Sequence, residues 1–260
     1  MCGIIGIISD DLSTLERSNL CHLHRGPDGH GTYLNKGNNI GLGHTRLSII
    51  DITSSGHQPM LSDDNEVIIT FNGEIYNYKA LRDSLIANGF SFKSSSDTEV
   101  LLKLYLFHGE RFLSKLDGIF ALAIWDNRNK ELILARDAIG VKPLYYTINE
   151  KGEFGFASEI KALVNLIKIN PSINIDAVYK YLTFLWCPGE ETLLKSVFKL
   201  NPGSAMIIKN GKVKKSWDWY NLPVFNDKIN SLSFNQSKDG LISNLRNAVH
   251  KQMVSDVPLG

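Results

Sequence analysis

Apolar, β-branched runs recur from Cys2 to Ser158, and two helical patterns sit in the middle of them. "CGIIGIIS", "NIGLGHTRLSIID" and "EVIITFNG" read as one group of strands. "GIFALAIWD", "ELILARD", "PLYYTI" and "GEFGFAS" form a second, closely spaced group. Between them, "NYKALRDSLIANGF" places Leu81, Leu85 and Ile86 on one helical face, with Gly89 as a stop. "DTEVLLKLYLFHG" follows, with Asp97 as the expected N-cap and Val100, Leu101, Leu104 and Tyr105 as its apolar stripe. Two strand groups with helices between them predict two sheets packed face to face, helices covering the outside: an α+β fold.

The flanking segments fill in the rest. "DLSTLERSNLCHL" and "EIKALVNLI" read as short helices, and "HRGPDGHG" as a turn, because Gly26, Pro27 and Gly29 suit neither regular element. After residue 170 the texture changes. "NIDAVYKYLTFLW" and "KDGLISNLRNAVHKQM" read as helices, and "GSAMIIKNGKVKKSWDWY" as a hairpin turning at Asn210–Gly211. "NDKINSLSFNQSKD" reads as an exposed connection. The chain stops in the apolar "VSDVPLG" with no cap or turn behind it, which suggests a piece of a longer protein.

Composition excludes several classes. With 260 residues, 43% of them hydrophobic, a sizeable core can be buried. A formal charge of +1 supplies no basic footprint for nucleic acid. No run approaches the ~20 apolar residues of a membrane span. The opening run lacks the basic region of a signal peptide, so a cytoplasmic, non-membrane protein is expected. Cys2, Cys21 and Cys187 are too scattered for a disulfide framework or a zinc site. His22 and His24 have no further ligands nearby, and no metal is expected.

Several residues carry candidate chemistry beside an ordinary structural reading. Cys2 would become the N-terminus once Met1 is removed, and its own α-amine could then serve as base for its thiol. Otherwise it is a small buried hydrophobe. Asn72 and Gly73 in "FNGEIYN" suit a hairpin turn, or a pair of donors for a developing oxyanion, with the Glu74 carboxylate alongside. Arg46 sits on a strand that reads as buried, suited to an internal ion pair or to bidentate capture of a carboxylate. Asp97 is a cap, or an anion facing a ligand. A nucleophile, an oxyanion hole, one arginine and two carboxylates together fit a substrate with a carboxamide, an α-carboxylate and an α-ammonium. Glutamine has all three.

The segments "MCGIIG", "HRGPDGHG", "GHTRLSIID", "FNGEIYN", "SSSDTEVLL", "DGIFALAIWD", "RDAIGVKPLYY" and "FASEIKAL" run in order from residue 2 to about 163. In this they resemble the glutamine-hydrolysing asparagine synthetase family, and more broadly the class II glutamine amidotransferases. "HRGPD" followed by "NGEIYN" is similar to the asparagine synthetases rather than to the glucosamine-phosphate or phosphoribosyl-pyrophosphate enzymes. The resemblance implies an N-terminal-nucleophile hydrolase fold, a four-layer αββα sandwich of two antiparallel sheets. It implies a glutaminase domain at 1–170, and at 171–260 a connecting segment with the first elements of an incomplete α/β, ATP-dependent synthetase domain. It makes Cys2 the nucleophile and Asn72 and Gly73 the oxyanion hole. Arg46 would hold the substrate carboxylate, Glu74 and Asp97 its ammonium, and the backbone of Leu47, Ser48, Ile49 and Ile50 would line the pocket. Arg25 would support the loop over Cys2.

The implied enzyme is an asparagine synthase of the ligase class, with glutamine hydrolysis as its half-reaction. This piece would need no cofactor; ATP and Mg would belong to the missing domain, whose pyrophosphate loop follows a "VPLG"-like segment. Implied partners are L-glutamine and the chain's own synthetase domain, with a homodimer left open. The sequence leaves two alternatives: the same glutaminase serving another acceptor, such as a surface-polysaccharide sugar, or a catalytically silent binding domain.

Overall fold

The computed structural model describes residues 1–169, 171–223 and 232–258. Its strands are β1 (Gly3–Ile8), β2 (Gly29–Asn35), β3 (Ile40–Arg46), β4 (Met60–Leu61), β5 (Val67–Ile75), β6 (Gly118–Asp126), β7 (Glu131–Arg136), β8 (Tyr145–Ile148), β9 (Phe154–Ala157), β10 (Phe198–Lys199), β11 (Ser204–Lys209) and β12 (Lys212–Asp218). They pair antiparallel in two six-stranded sheets, ordered β10-β8-β9-β1-β3-β2 and β12-β11-β7-β6-β5-β4. The helices are α1 (Leu15–Asn19), α2 (Tyr78–Ala87), α3 (Asp97–His108), α4 (Ile160–Leu166), α5 (Ile175–Phe184) and α6 (Phe234–Gln252).

Alternation along each strand divides the apolar residues among three cores. Ile4, Leu42 and Phe156 from the first sheet meet Ile68, Ala123 and Leu134 from the second in the central core. The opposite faces of the same strands, Ile5 and Ile7 in one sheet and Ile69, Phe71 and Leu122 in the other, pack outward under helices. α1 and α4 cover the first sheet, and α2 and α3 the second. This is the four-layer αββα sandwich that the strand grouping and the resemblance implied.

Several expectations are corrected in detail. Gly29 opens β2 rather than ending a turn, because an edge strand tolerates glycine where a central one is weakened. Ser96, not Asp97, caps α3: its side chain accepts the Glu99 N–H at 3.3 Å, and Asp97 becomes the first helical residue. Ile86 is exposed rather than packed with Leu85. Asn72–Gly73 forms no turn, since β5 continues through it to Ile75 in unbroken register with β6. The expected connection at 226–239 lies partly outside the described residues, and its end is helical: a capping box at Ser233 and Gln236 starts α6 at Phe234. β10 and the β11–β12 hairpin extend both sheets, so the sandwich runs past residue 170 to Asp218.

One end of the sandwich is tied together across the sheets. The start of β1 lies beside the end of β3, with Gly3 opposite Thr45. Thr70 Oγ1 donates to the Gly43 carbonyl at 3.2 Å, and His44 Nε2 lies 3.1 Å from the Phe71 carbonyl. Full burial lowers the His44 pKa to about 3, so the ring is neutral and this nitrogen is the donor. These bonds bring Cys2, Arg46 and the end of β5 to one place.

Candidate active site

Cys2, Arg46, Asn72, Gly73, Glu74 and Asp97 line one cavity of about 120 Å³, with Met1, Leu47, Ile49, Ile50, Gln58, Thr98 and Lys142 among the remaining wall residues. The sequence-predicted residues therefore converge, except Ser48. That residue is not in the wall, and its N–H is taken by the Asp28 carboxylate at 2.8 Å.

The Cys2 sulfur sits at the loop that leaves β3. It lies 3.4 Å from the Leu47 N–H and 3.6 Å from the Leu47 carbonyl. Burial raises the thiol above its ordinary pKa, opposed by the Leu47 N–H and the terminal amine. The resting thiol is thus protonated at neutral pH and needs a base to become a nucleophile. Behind it, Arg25 Nε donates to the Cys2 carbonyl at 2.9 Å and Nη1 to Glu159 at 3.1 Å, which fixes the backbone that carries the sulfur. His22 and His24 do not act together. His22 is buried, its pKa lowered to about 4 chiefly by burial, while His24 reaches Glu159 at the surface. Among the described residues, no group of three or more His, Cys, Asp or Glu side chains is placed to hold a metal.

The Asn72 amide is buried, and its Nδ2 has no hydrogen-bond partner among the described residues. A buried, unspent N–H donor costs about 1–3 kcal/mol, so its place in a cavity wall marks it as available to a ligand. Gly73 is fixed by close packing: a Cβ there would lie 2.2 Å from the Ile119 carbonyl oxygen and 2.7 Å from Phe120 Cα.

The charged residues are unusual in their lack of partners. Among the described residues, none of Arg46, Glu74, Asp97 or Lys142 forms an ion pair with another side chain. Asp97 is buried, and loss of water raises its pKa to about 7; the Ile75 N–H at 3.1 Å opposes this and the Glu74 charge adds to it. Glu74 is also raised by burial, with Lys142 pulling the other way. Arg46 spends three of its five donors on the loop beyond it, on the carbonyls of Ile50 (3.3 Å), Asp51 and Thr53 (2.8 Å). Gly56 packs flat on that guanidinium, where a Cβ would meet Nη2 at 2.2 Å.

Sequence reasoning missed Lys142, Gln58 and Asp51. Lys142 is aimed into the cavity by a tight turn in which the Asp137 carboxylate accepts N–H bonds from Ile139, Val141 and Lys142 at 3.2, 2.9 and 2.9 Å. The signal was Asp137 directly after a strand with Gly140 three residues later, a pairing of turn residues that marks such a turn. Gln58 bridges elements, accepting from Phe71 N at 2.6 Å and donating to Thr98 Oγ1 at 3.1 Å.

Residues 1–220 match the glutamine amidotransferase domain family. The chain belongs to that family. Among curated relatives of this amidotransferase domain, it is 37% identical to asparagine synthetase [glutamine-hydrolyzing] 1 of Bacillus subtilis, across all of this chain and 41% of the relative. Asparagine synthetase [glutamine-hydrolyzing] 2 of Arabidopsis thaliana is 37% identical, across all of this chain and 40% of the relative. The chain thus spans about two fifths of the length of these relatives. In fold, it superposes on the glutamine phosphoribosylpyrophosphate amidotransferase of B. subtilis with a TM-score of 0.60 at 22% identity, over 84% of this chain and 49% of that one.

Proposed function

We propose that this amidotransferase domain hydrolyses L-glutamine through a thioester on Cys2. The observation that carries the proposal is the set of unspent groups around one thiol: an unpartnered Asn72 amide, an arginine and two carboxylates without ion pairs. An amino acid with a side-chain carboxamide complements each of them. Its α-carboxylate faces Arg46 and its α-ammonium faces Glu74 and Asp97, which leaves the amide beside the sulfur.

In the proposed reaction the α-amine takes the thiol proton and sulfur bonds to the amide carbon. The resulting oxyanion is held by Asn72 Nδ2 and the Gly73 N–H, donors of a kind worth about 2.7–4 kcal/mol each in the transition state. The proton passes to the leaving nitrogen, the C–N bond breaks and ammonia departs. Water then adds to the γ-glutamyl thioester, the C–S bond breaks, and glutamate and the thiol are released. The base must belong to Cys2, so Met1 has to be removed.

The relatives' names support a parent protein in which the chain beyond the amidotransferase domain leads into a synthetase domain. There ATP and Mg would activate aspartate as an adenylate, and the ammonia would give asparagine, AMP and pyrophosphate. Another acceptor would use the same glutaminase half. The unspent donors and charges weigh against a silent binding domain. The test is release of glutamate and ammonia by the 260-residue chain after Met1 removal. Cys2→Ala should reduce it by more than about a thousandfold. Full turnover by protein whose intact mass still includes Met1 would overturn the proposal.

A further inference from the structure

The loop from Leu47 to Thr53 forms one wall of the cavity through Leu47, Ile49 and Ile50, yet it belongs to neither sheet. Its conformation is held from three sides. Arg46 gathers the carbonyls of Ile50, Asp51 and Thr53. Asp51 sits at φ +51°, where a non-glycine residue needs support. Its carboxylate supplies some of that support, accepting from Thr53 Oγ1 at 2.5 Å and from Ser95 N at 2.8 Å, just ahead of α3 and Asp97.

The third hold comes from far along the chain. The Asp51 N–H donates to Asp256 Oδ2 at 2.7 Å, and the Asp256 N–H donates to the Ile49 carbonyl at 2.9 Å. One residue thus closes two bonds, on the backbone of Ile49 and of Asp51, on either side of the wall residue Ile50. Its neighbour Val254 anchors the segment by packing against the outer core beneath α2 and α3. Asp256 does not itself line the cavity and lies 205 residues from Asp51.

We propose that Asp256 is a positioning residue for the glutamine pocket, holding Ile49–Asp51 so that the wall beside Arg46 is formed before substrate arrives. This rests on the glutaminase reading above. The wall is made in the ground state, so its loss weakens binding more than it slows the chemical steps. It also means that whatever shifts residues 254–257 is felt as a change in glutamine affinity.

Steady-state glutamine hydrolysis by the full 260-residue chain tests this, with thermal melts alongside. Asp256→Ala should raise KM for glutamine about tenfold, with kcat within about twofold and an unchanged melt, since the hold removed is one peripheral charge-assisted bond, from the Asp51 N–H to the Asp256 carboxylate, while the backbone N–H of residue 256 still donates to Ile49. Asp256→Asn should restore KM, because its Oδ1 still accepts the Asp51 N–H. An unchanged KM in D256A, or a fall in kcat that tracks a lowered melting temperature, would overturn the proposal. Should D256A fail to fold, D256N and D256E decide: KM near wild type for Asn and raised for Glu is expected, and equal values overturn it. An inactive wild-type chain would instead sink the glutaminase reading itself.

Discussion

Asp97 is buried without a cation, and that arrangement has a cost in the ligand-free protein. Its folded pKa of about 7 stands above the ordinary aspartate value of 3.8, so the folded state binds the proton more tightly than the unfolded one. The associated loss of stability is absent below pH 3.8, grows as pH rises toward about 7, and is complete above it. Asp97→Asn keeps an acceptor for the Ile75 N–H and removes the charge. It should therefore stabilise the ligand-free chain at pH 8, by up to ~4 kcal/mol at ~1.4 kcal/mol per pKa unit, and leave it unchanged near pH 4. Urea unfolding at the two pH values checks the sign. An ammonium ligand favours the ionised form, so KM for glutamine should fall as pH approaches about 7 in the wild type and stay high and flat in the variant. Sequence made the residue visible as an anion beside an apolar helix. It could not show that Ser96 would take the capping role and free Asp97 to face the cavity.

The β5–β6 pair sets the aim of the oxyanion donors. Asn72 lies opposite Ala121 and Gly73 opposite Phe120, so the two strands hold the donors by ladder geometry rather than by a loop. Gly73→Ala puts a methyl group into the Ile119 carbonyl, and β6 or β5 must shift. We expect a loss of about 1–3 kcal/mol in stability and a fall in kcat larger than the change in KM, read from denaturation and steady-state kinetics on the same preparation. β1, β3, β5, β6 and β7 were legible because each buries both faces, one against the other sheet and one against helices, which leaves continuous apolar runs. β4 and β10, two residues each, carry no such pattern. Arg46 was legible as an unusual strand residue, but its main hydrogen bonds go to carbonyls four to seven positions ahead. That loop has no periodicity from which its path could be read.

At the scale of the molecule, the cavity is built from residues between Met1 and Lys142, with Asp256 as a remote support. α5 and α6 contribute nothing to its wall and carry large exposed apolar side chains, among them Tyr179, Leu182 and Phe184 on one and Leu241, Leu245 and Val249 on the other. This division argues that, in a parent protein of the relatives' length, ammonia production and ammonia use would sit in separate parts of the chain. Removing the Cys2 sulfur deletes the nucleophile and disturbs only the Leu47 contacts at 3.4 and 3.6 Å, far in sequence from both helices. Cys2→Ala in the full-length parent should therefore abolish glutamine-dependent amidation of the acceptor while free ammonia still supports it at close to the wild-type rate. Product formation with each nitrogen source, measured on one preparation, checks this. Equal loss with both sources would mean that the thiol also serves the acceptor reaction, and would contradict a glutaminase site that stands apart from the synthetase chemistry. Retention of glutamine-dependent product by C2A would remove Cys2 from the reaction altogether.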